Sequence, residues 1–524
     1  MKLFLILSLV WSGLTLAAPE QTLRWGNGAE VKDLDPSIVT GVPEHHILTN
    51  LFEGLVGKHP ETLGPVPGVA ESWTISKDLK TYTFQLRKDA KWSNGDPVTA
   101  NDFIYSWQRL LDPKTAAEYS YQAYYIKNGK DINTGKIKDF NQLGVKAPTD
   151  RTLVVTLENP TPFFLKLLDH YSLAPLHAKT IQKHGIRWTR PENMVNNGAF
   201  TLDKWETNRL ISVKANPLYW DAKSVKLTSA TFYPVEKMDT EEKMFRSGDL
   251  DITNEIPLEK IPLWKKKKGS DYVGSPYLGT YFYWFNTKVK PLDKKEVRQA
   301  LSLAIDRDSI VKYVTKGDQP PARSFTPPGA GDNYQPPAVL PTDLSRLAEA
   351  KELLAKAGYP NGKGMPTIDI LFNTHDGHKK IAEVIQEMWK KNLGVNATLV
   401  NQEWKVYLDS VRLMKFTAAR QGWIGDYNDP NTFLDMFISD SPMNRSGWKN
   451  AEYDALMVKA AKELDSKKRL AHFFNAEKIW LDEMPSMPIY VYTRNYLKNK
   501  KVQGWYSNIE DLHPLKYVWI GDSK

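Results

Sequence analysis

The sequence predicts an α/β protein built as two or three lobes, and three observations carry that expectation. The chain has 524 residues, more than a single hydrophobic core organises. Residues 367–400 read as strand, helix and strand, the crossover unit of a sheet covered by helices. Far upstream, Tyr82-Thr83-Phe84-Gln85-Leu86-Arg87 places Tyr82, Phe84 and Leu86 on one face, as a half-buried strand does. Hydrophobic residues make up 41% of the chain and charged residues 25%, the balance of an ordinary folded globular protein.

Taken in order, the elements begin with a targeting segment. Met1-Lys2 is a short positive start, Leu3 opens an apolar run that continues past Val10, and small residues follow at Thr15, Ala17 and Ala18. Residues 1–17 are therefore expected to be a secretory signal peptide, too short for an anchor. Cleavage after Ala17 is favoured, because a cut after Ala18 places Pro19 on the scissile bond. Thr22-Leu23-Arg24-Trp25-Gly26 reads as a strand and Asp33-Leu34-Asp35-Pro36 as a turn. Asn94-Gly95 predicts a tight turn, and Thr99-Ala100-Asn101-Asp102 opens a helix carrying Phe103, Tyr105, Ser106 and Trp107, with a Thr or Asn cap for its first amides. One continuous helix is expected over residues 294–316, with Val297, Leu301, Ala304, Ile305 and Val311 as its apolar side and Gly317 closing it. The Pro-rich residues 320–337 predict a long surface loop. Residues 367–372 read as a strand. Ile381, Val384, Ile385, Met388, Trp389 and Leu393 have helical spacing with Gly394 as the stop, and residues 396–400 form the next strand.

Composition excludes several function classes. The net charge of +9 is a thin excess of 70 basic over 61 acidic residues. The densest basic run, Lys265-Lys266-Lys267-Lys268, lacks the interleaved aromatics of a single-strand groove, so it reads as a solvated face and nucleic-acid binding is not expected. There is no cysteine, which rules out disulfides, thiolate chemistry and a lipid-modified N-terminal Cys. With no second hydrophobic span, the mature chain is expected free in an extracytoplasmic space, most simply a bacterial periplasm. Neither Gly-x-Ser-x-Gly nor His-Glu-x-x-His occurs, which disfavours a peptidase. His375-x-x-His378 brings two imidazoles together without a partnering ligand pattern, so no metal and no cofactor is expected.

An ordered series of motifs runs through the mature chain. Ala70-Glu71-Ser72-Trp73 precedes Tyr82-Thr83-Phe84, Lys91-Trp92-Ser93-Asn94-Gly95 and Thr99-Ala100-Asn101-Asp102. Asn196-Asn197-Gly198-Ala199-Phe200, Asn216-Pro217-Leu218-Tyr219-Trp220, Arg246-Ser247-Gly248-Asp249-Leu250-Asp251, Val297-Arg298-Gln299-Ala300 and Ala304-Ile305-Asp306-Arg307 follow. The series resembles the peptide and nickel family of bacterial extracellular solute-binding proteins, family 5. Leu51-Phe52-Glu53-Gly54-Leu55, Asn401-Gln402-Glu403-Trp404-Lys405 and Gly422-Trp423-Ile424-Gly425-Asp426-Tyr427-Asn428 most resemble its periplasmic oligopeptide-binding members. The resemblance implies a periplasmic-binding-protein-like class II fold (type C), with the ligand cleft between two lobes and an inserted extra domain. Residues 18–52, 177–278 and 494–524 are expected as lobe I, residues 53–176 as the inserted domain II and residues 279–493 as lobe III. It also implies a non-enzymatic monomer that closes on a peptide by hinge motion and docks on an ABC transporter permease.

A binder of varied peptides takes its affinity from what all peptides share: backbone amides, an ammonium and a carboxylate. The resemblance implies Asp426 for the ammonium, in a segment too apolar for a surface charge, and His378 and Arg420 for the carboxylate. Aromatic walls are implied at Trp404, Trp423, Tyr119 and Tyr492, with further contacts from Asn373 and the backbone of Val42. Several positions depart from the closest relatives. Thr40 stands where they carry Glu; Val411, with Arg412 beside it, stands where they carry Arg; Trp284 replaces an acidic position after Tyr277. Gly279 and Ile424 replace two cysteines that can bridge in enteric relatives. These departures bear on peptide length and side-chain preference, and a murein tripeptide is the second ligand class within the same scaffold.

Overall fold

A computed structural model describes residues 20–521; the expected signal peptide, residues 1–17, lies outside them. Three larger sheets organise the chain. In the first, Thr22–Gly26 runs parallel to Ser229–Tyr233, and Leu210–Ala215 and Phe200–Glu206 extend it antiparallel. The second is wholly antiparallel, in the order Ala70–Ile75, Thr81–Leu86, Thr152–Thr156, Val145–Thr149. The third has the order Ala397–Gln402, Ile368–Asn373, Ala418–Ile424, Tyr272–Phe285, Ser486–Leu497. Its first three strands are parallel and its last two antiparallel, so the fold is mixed α/β.

The strand-helix-strand unit forms as its periodicity predicts. Ile368–Asn373 and Ala397–Gln402 pair in parallel across the helix Asp376–Leu393, which buries Ile381, Ile385 and Trp389. Gly394 (φ +70°) ends that helix in the left-handed region that favours glycine. The Thr81–Leu86 strand buries Tyr82, Phe84 and Leu86, and Asp102 reaches back 2.7 Å to the Thr99 amide at the start of the helix Ala100–Leu111.

Two local expectations are corrected. The helix expected over residues 294–316 is broken: Lys295–Leu303 ends, Asp306 caps a new start by accepting from the Ser309 amide, and a wider turn runs over Ile310–Thr315. Apolar spacing is nearly continuous through the break. At the break lies the fully buried Arg307 guanidinium, which donates to the local carbonyl of Ser302 and to the sequence-distant carbonyl of Pro488. The terminal left-handed residue is Lys316 (φ +57°), one before Gly317. Residues 320–337 do form an irregular connection, but not a purely surface one. Phe325 is fully buried against Phe282, Phe437 and Trp480, and Glu477 accepts the amides of Phe325 and Thr326.

Two long strands, Tyr272–Phe285 and Ser486–Leu497, carry the chain between the first and third sheets. Ile252 bridges both Trp25 and Lys498, so the end of the second strand docks on the first sheet. Their pairing shifts register between Pro276 and Thr280, where the backbone of the buried Leu278 donates to the Ile509 carbonyl and accepts from the Gly425 amide. That irregularity lies where the sheets meet.

Candidate functional site

The strand Ala418–Ile424 organises the site. Residues opposite one another in an antiparallel pair share a face. Arg420 lies opposite Tyr283, Gly422 opposite Tyr281 and Gly279 opposite Ile424. Gly279 and Ile424, the positions tied by resemblance to bridging cysteines, are therefore direct partners.

Arg420 is buried and its charge is held by neutral groups. Nη2 donates to Tyr492 Oη at 2.7 Å, Nη1 to Asn373 Oδ1 at 3.3 Å, and the guanidinium lies 4.7 Å from the centre of the Tyr281 ring. Gly422 admits the Tyr492 ring; a Cβ there collides with its hydroxyl. Arg420, Asn373, Gly422 and Tyr492 line a cavity of about 210 Å³ together with Val42, Trp404 and His378. Glu255 and Arg494 complete its charged lining. Burial acts to raise the Glu255 pKa, but His375 (Nε2 3.2 Å away) and the two arginines hold it down at about 2. Two buried polar atoms of lining residues, Arg420 Nε and His375 Nδ1, make no hydrogen bond among the described residues. Orphans are rare in folded interiors, and two around one cavity mark a site for a polar guest.

His378 is corrected in part. It lines the cavity and its Nδ1 lies 3.4 Å from Tyr281 Oη, but burial, with Arg420 and His375 nearby, holds the imidazole neutral. It can offer an N–H to a carboxylate, but no positive charge.

Beyond the end of the strand, Asp426 sits in a second polar nest. Tyr119 and Tyr121 donate to its two oxygens at 3.1 and 3.3 Å, and Gln122 Nε2 donates at 2.9 Å. These donors come from Glu118–Tyr125, a short 3₁₀ segment remote in sequence. Burial pushes the Asp426 carboxyl up to about 7, against the lowering effect of Tyr119, Lys58, Tyr121 and Gln122. The group in ion-pair range is His170, with Nε2 at 3.5 Å, and burial keeps that ring neutral. Asp426 is thus a buried acid whose carboxyl takes neutral donors, while the Lys58 ammonium, paired with Glu510 at 2.7 Å, approaches the Asp426 backbone carbonyl at 3.4 Å. Its carboxyl does not line the Arg420 cavity, and the two are separated along one strand.

Several expected contacts are placed elsewhere. Trp284 lies on the face away from Arg420, opposite Ala419, and is buried against Phe282 and Phe437 at 5.0 and 5.2 Å. Strand alternation sends it into the core of its sheet. Trp423 shares that face; its Nε1 donates to Thr432 O at 2.7 Å, and Thr432 Oγ1 accepts the Asp426 amide, so it braces the Asp426 loop. Arg412 is exposed at a helix end, 3.4 Å from Asp409, and Val411 is buried. Thr40 is half-buried and outside the cavity lining. Sequence reasoning missed Tyr121, Gln122, His170, Glu255 and Arg494. Tyr121 and Gln122 stand two and three residues from Tyr119, which was a usable hint; the others have no local signature.

The pieces are closed on one another. Residues 53–176 meet the third-sheet region through Tyr119, Tyr121 and Gln122 on Asp426, Tyr125 on Asp435, and Glu118 on Arg445. Lys32–Asp409 (2.9 Å), His375–Glu255 and Lys380–Glu259 (3.1 Å) bridge the other side.

Comparison with known proteins agrees with this geometry. The periplasmic oligopeptide-binding protein OppA of Salmonella typhimurium is 42% identical over 508 residues, covering 96% of this chain and 92% of the relative. The crystal structure of Haemophilus influenzae OppA in complex with RPPGFSPFR superimposes with a TM-score of 0.92 at 40% identity, over 96% of this chain and all of that one. The Escherichia coli murein tripeptide binding protein MppA matches with a TM-score of 0.92 at 37% identity, over 96% and 99% of the two chains. Its unliganded open form matches at only 0.65, over 96% and 98%, which places this chain in the closed arrangement. The model for bacterial extracellular solute-binding proteins, family 5, matches residues 64–445. The chain belongs to the family 5 bacterial extracellular solute-binding proteins.

Proposed function

We propose that the chain is the periplasmic receptor of an ABC importer, capturing oligopeptides in extended form and delivering them to a membrane permease. Asp426 receives the peptide ammonium; Arg420, with the neutral N–H of His378, receives the carboxylate. Lobe I comprises residues 18–52, 177–278 and 494–524, the inserted domain residues 53–176, and lobe III residues 279–493. Residues 1–17 direct export and are removed, leaving a monomer without a lipid anchor. No helix among the described residues is long and apolar enough to cross a membrane.

The observation that carries this reading is the buried Asp426 carboxyl, whose oxygens take neutral donors while the nearby Lys58 ammonium bonds the Asp426 backbone carbonyl at 3.4 Å. A buried carboxylate left unpaired is costly, and a ligand ammonium at this point offsets that cost. Closure is then favourable only with a guest present. Arg420 and Asp426 are six residues apart on nearly extended backbone, at most about 20 Å. A peptide spanning both groups has at most about six residues.

The test is calorimetry with unmodified alanine peptides of two to six residues on protein stripped of ligand. One-site binding with a preferred length is expected. Binding confined to a murein tripeptide moves the assignment to that ligand class, and no binding of any peptide overturns it.

A further inference from the structure

On the far side of Tyr121 from the cleft lies a separate cavity of about 340 Å³, between residues 121–163 and 431–469. Tyr121, Tyr124, Tyr125 and Phe163 wall it, and Asp435 and Glu158 supply its unpaired acid. The cations at this cavity are already committed: Lys130 to Asp440 at 2.8 Å, and Arg469 to Asp429 through two 2.8 Å bonds. Glu158 stands exposed at the mouth, where its Oε2 accepts the Asn128 amide at 3.2 Å and its carbonyl accepts from the Lys80 ammonium at 3.0 Å. Asp435 is 5% exposed. Tyr125 Oη and Asn431 Nδ2 donate to its Oδ2 at 3.1 Å each, while the buried Oδ1 has no partner. Tyr125 links Asp435 to the backbone of Glu158. The Tyr125 hydroxyl bonds Asp435, and its carbonyl accepts the Glu158 amide at 2.8 Å.

We propose that this cavity binds an alkylammonium chain, with one nitrogen on Asp435 at the floor, the carbons along the tyrosine rings, and a second nitrogen on Glu158 at the mouth. Aromatic faces attract ammonium groups and cover methylenes equally well. A short diamine offers a nitrogen to each acid, each able to make a charge-assisted bond. Burial holds Asp435 well above the ordinary carboxyl range, the state of an acid that lacks its counter-ion. The walls come from two segments that meet on closure, and Tyr121 also donates to Asp426. An occupant therefore favours the closed state and tightens peptide binding by the same factor that peptide tightens its own. Free diamines and a lysine side chain of a bound peptide share this chemistry.

Calorimetry of 1,4-diaminobutane into the full chain, stripped and then saturated with trialanine, tests the proposal. Saturable one-site binding is expected, stronger in the saturated protein, with 1-aminobutane weaker and 1,4-butanediol silent. Asp435→Asn is expected to weaken the diamine about tenfold or more, and Glu158→Gln several-fold. Glu158 is exposed, so its variant keeps the test open even if Asp435→Asn fails to fold. Competition by Lys-Ala-Ala but not norleucyl-Ala-Ala assigns the cavity to a peptide side chain; its absence assigns it to free amines. No saturable binding by wild type, or equal binding by Glu158→Gln and wild type, overturns the proposal. Trialanine heats measured in the same cell show independently whether the peptide reading stands.

Discussion

Blocking the peptide amine isolates what Asp426 does. In the closed chain burial raises this carboxyl from 3.8 to about 7. In an opened cleft, away from Tyr119, Tyr121 and Gln122, it returns to its ordinary value. Closing without a counter-ion therefore requires either a buried charge or a proton. A group whose pKa is raised in one state stabilises that state fully at low pH, and the stabilisation is lost as pH rises through the raised value. Between pH 3.8 and 7, each unit of rising pH costs closure about 1.4 kcal/mol. The cost is therefore a few kcal/mol at pH 8 and falls by roughly 2–3 kcal/mol on going to pH 5. N-acetyl-trialanine brings no ammonium, so its affinity measured by calorimetry should rise at least tenfold from pH 8 to pH 5. Trialanine itself, which supplies the counter-ion, should change little from pH 5 to 7. In Asp426→Asn the acetylated peptide should bind independently of pH. A flat profile for the acetylated peptide on wild type refutes the reasoning.

Arg420→Gln should weaken a carboxylate-terminated peptide by about 2 kcal/mol while leaving its amidated form nearly unchanged, because the lost bond is charge-assisted; paired titrations check this. Trp284→Leu should lower thermal stability by about 2–4 kcal/mol through a core cavity, with peptide affinity per folded molecule unchanged, since Trp284 faces away from the cleft. Glu118→Gln removes the partner of the largely buried Arg445 across the closed interface, and should weaken every peptide alike by about 1–3 kcal/mol, irrespective of length and sequence. The more exposed pair Lys32–Asp409 is worth less than about 1 kcal/mol, so Asp409→Asn should leave affinity within about fivefold of wild type.

How much was legible in advance follows from the range of each interaction. Local rules were sufficient for the unit spanning Ile368–Asn373, the helix Asp376–Leu393 and Ala397–Gln402, because helix and strand periodicity and a glycine stop act within a few residues. They failed at residues 294–316, where the buried Arg307 draws on carbonyls as distant as Pro488. Arg420, Asn373, Trp404 and Tyr492 were named through family resemblance, and the structure gathers them around one cavity. Trp284 and Arg412 were named in the same way, and it does not gather them there. Motif position says which residue stands at a site, whereas strand register says which way it points.

By itself, the sequence determined composition class, the absence of cysteine, the alternation of secondary structure and the presence of an acid in an apolar segment at Asp426. Each is a property of one residue or one short window. Only the tertiary structure decided that Tyr119, Tyr121 and Gln122, some three hundred residues away, solvate that acid without neutralising it. It likewise decided that Glu255 and Arg494 share a chamber with Arg420, and that His378 is neutral. The physical reason is that burial and Coulomb coupling depend on distance through space, and chain folding sets that distance independently of separation along the sequence.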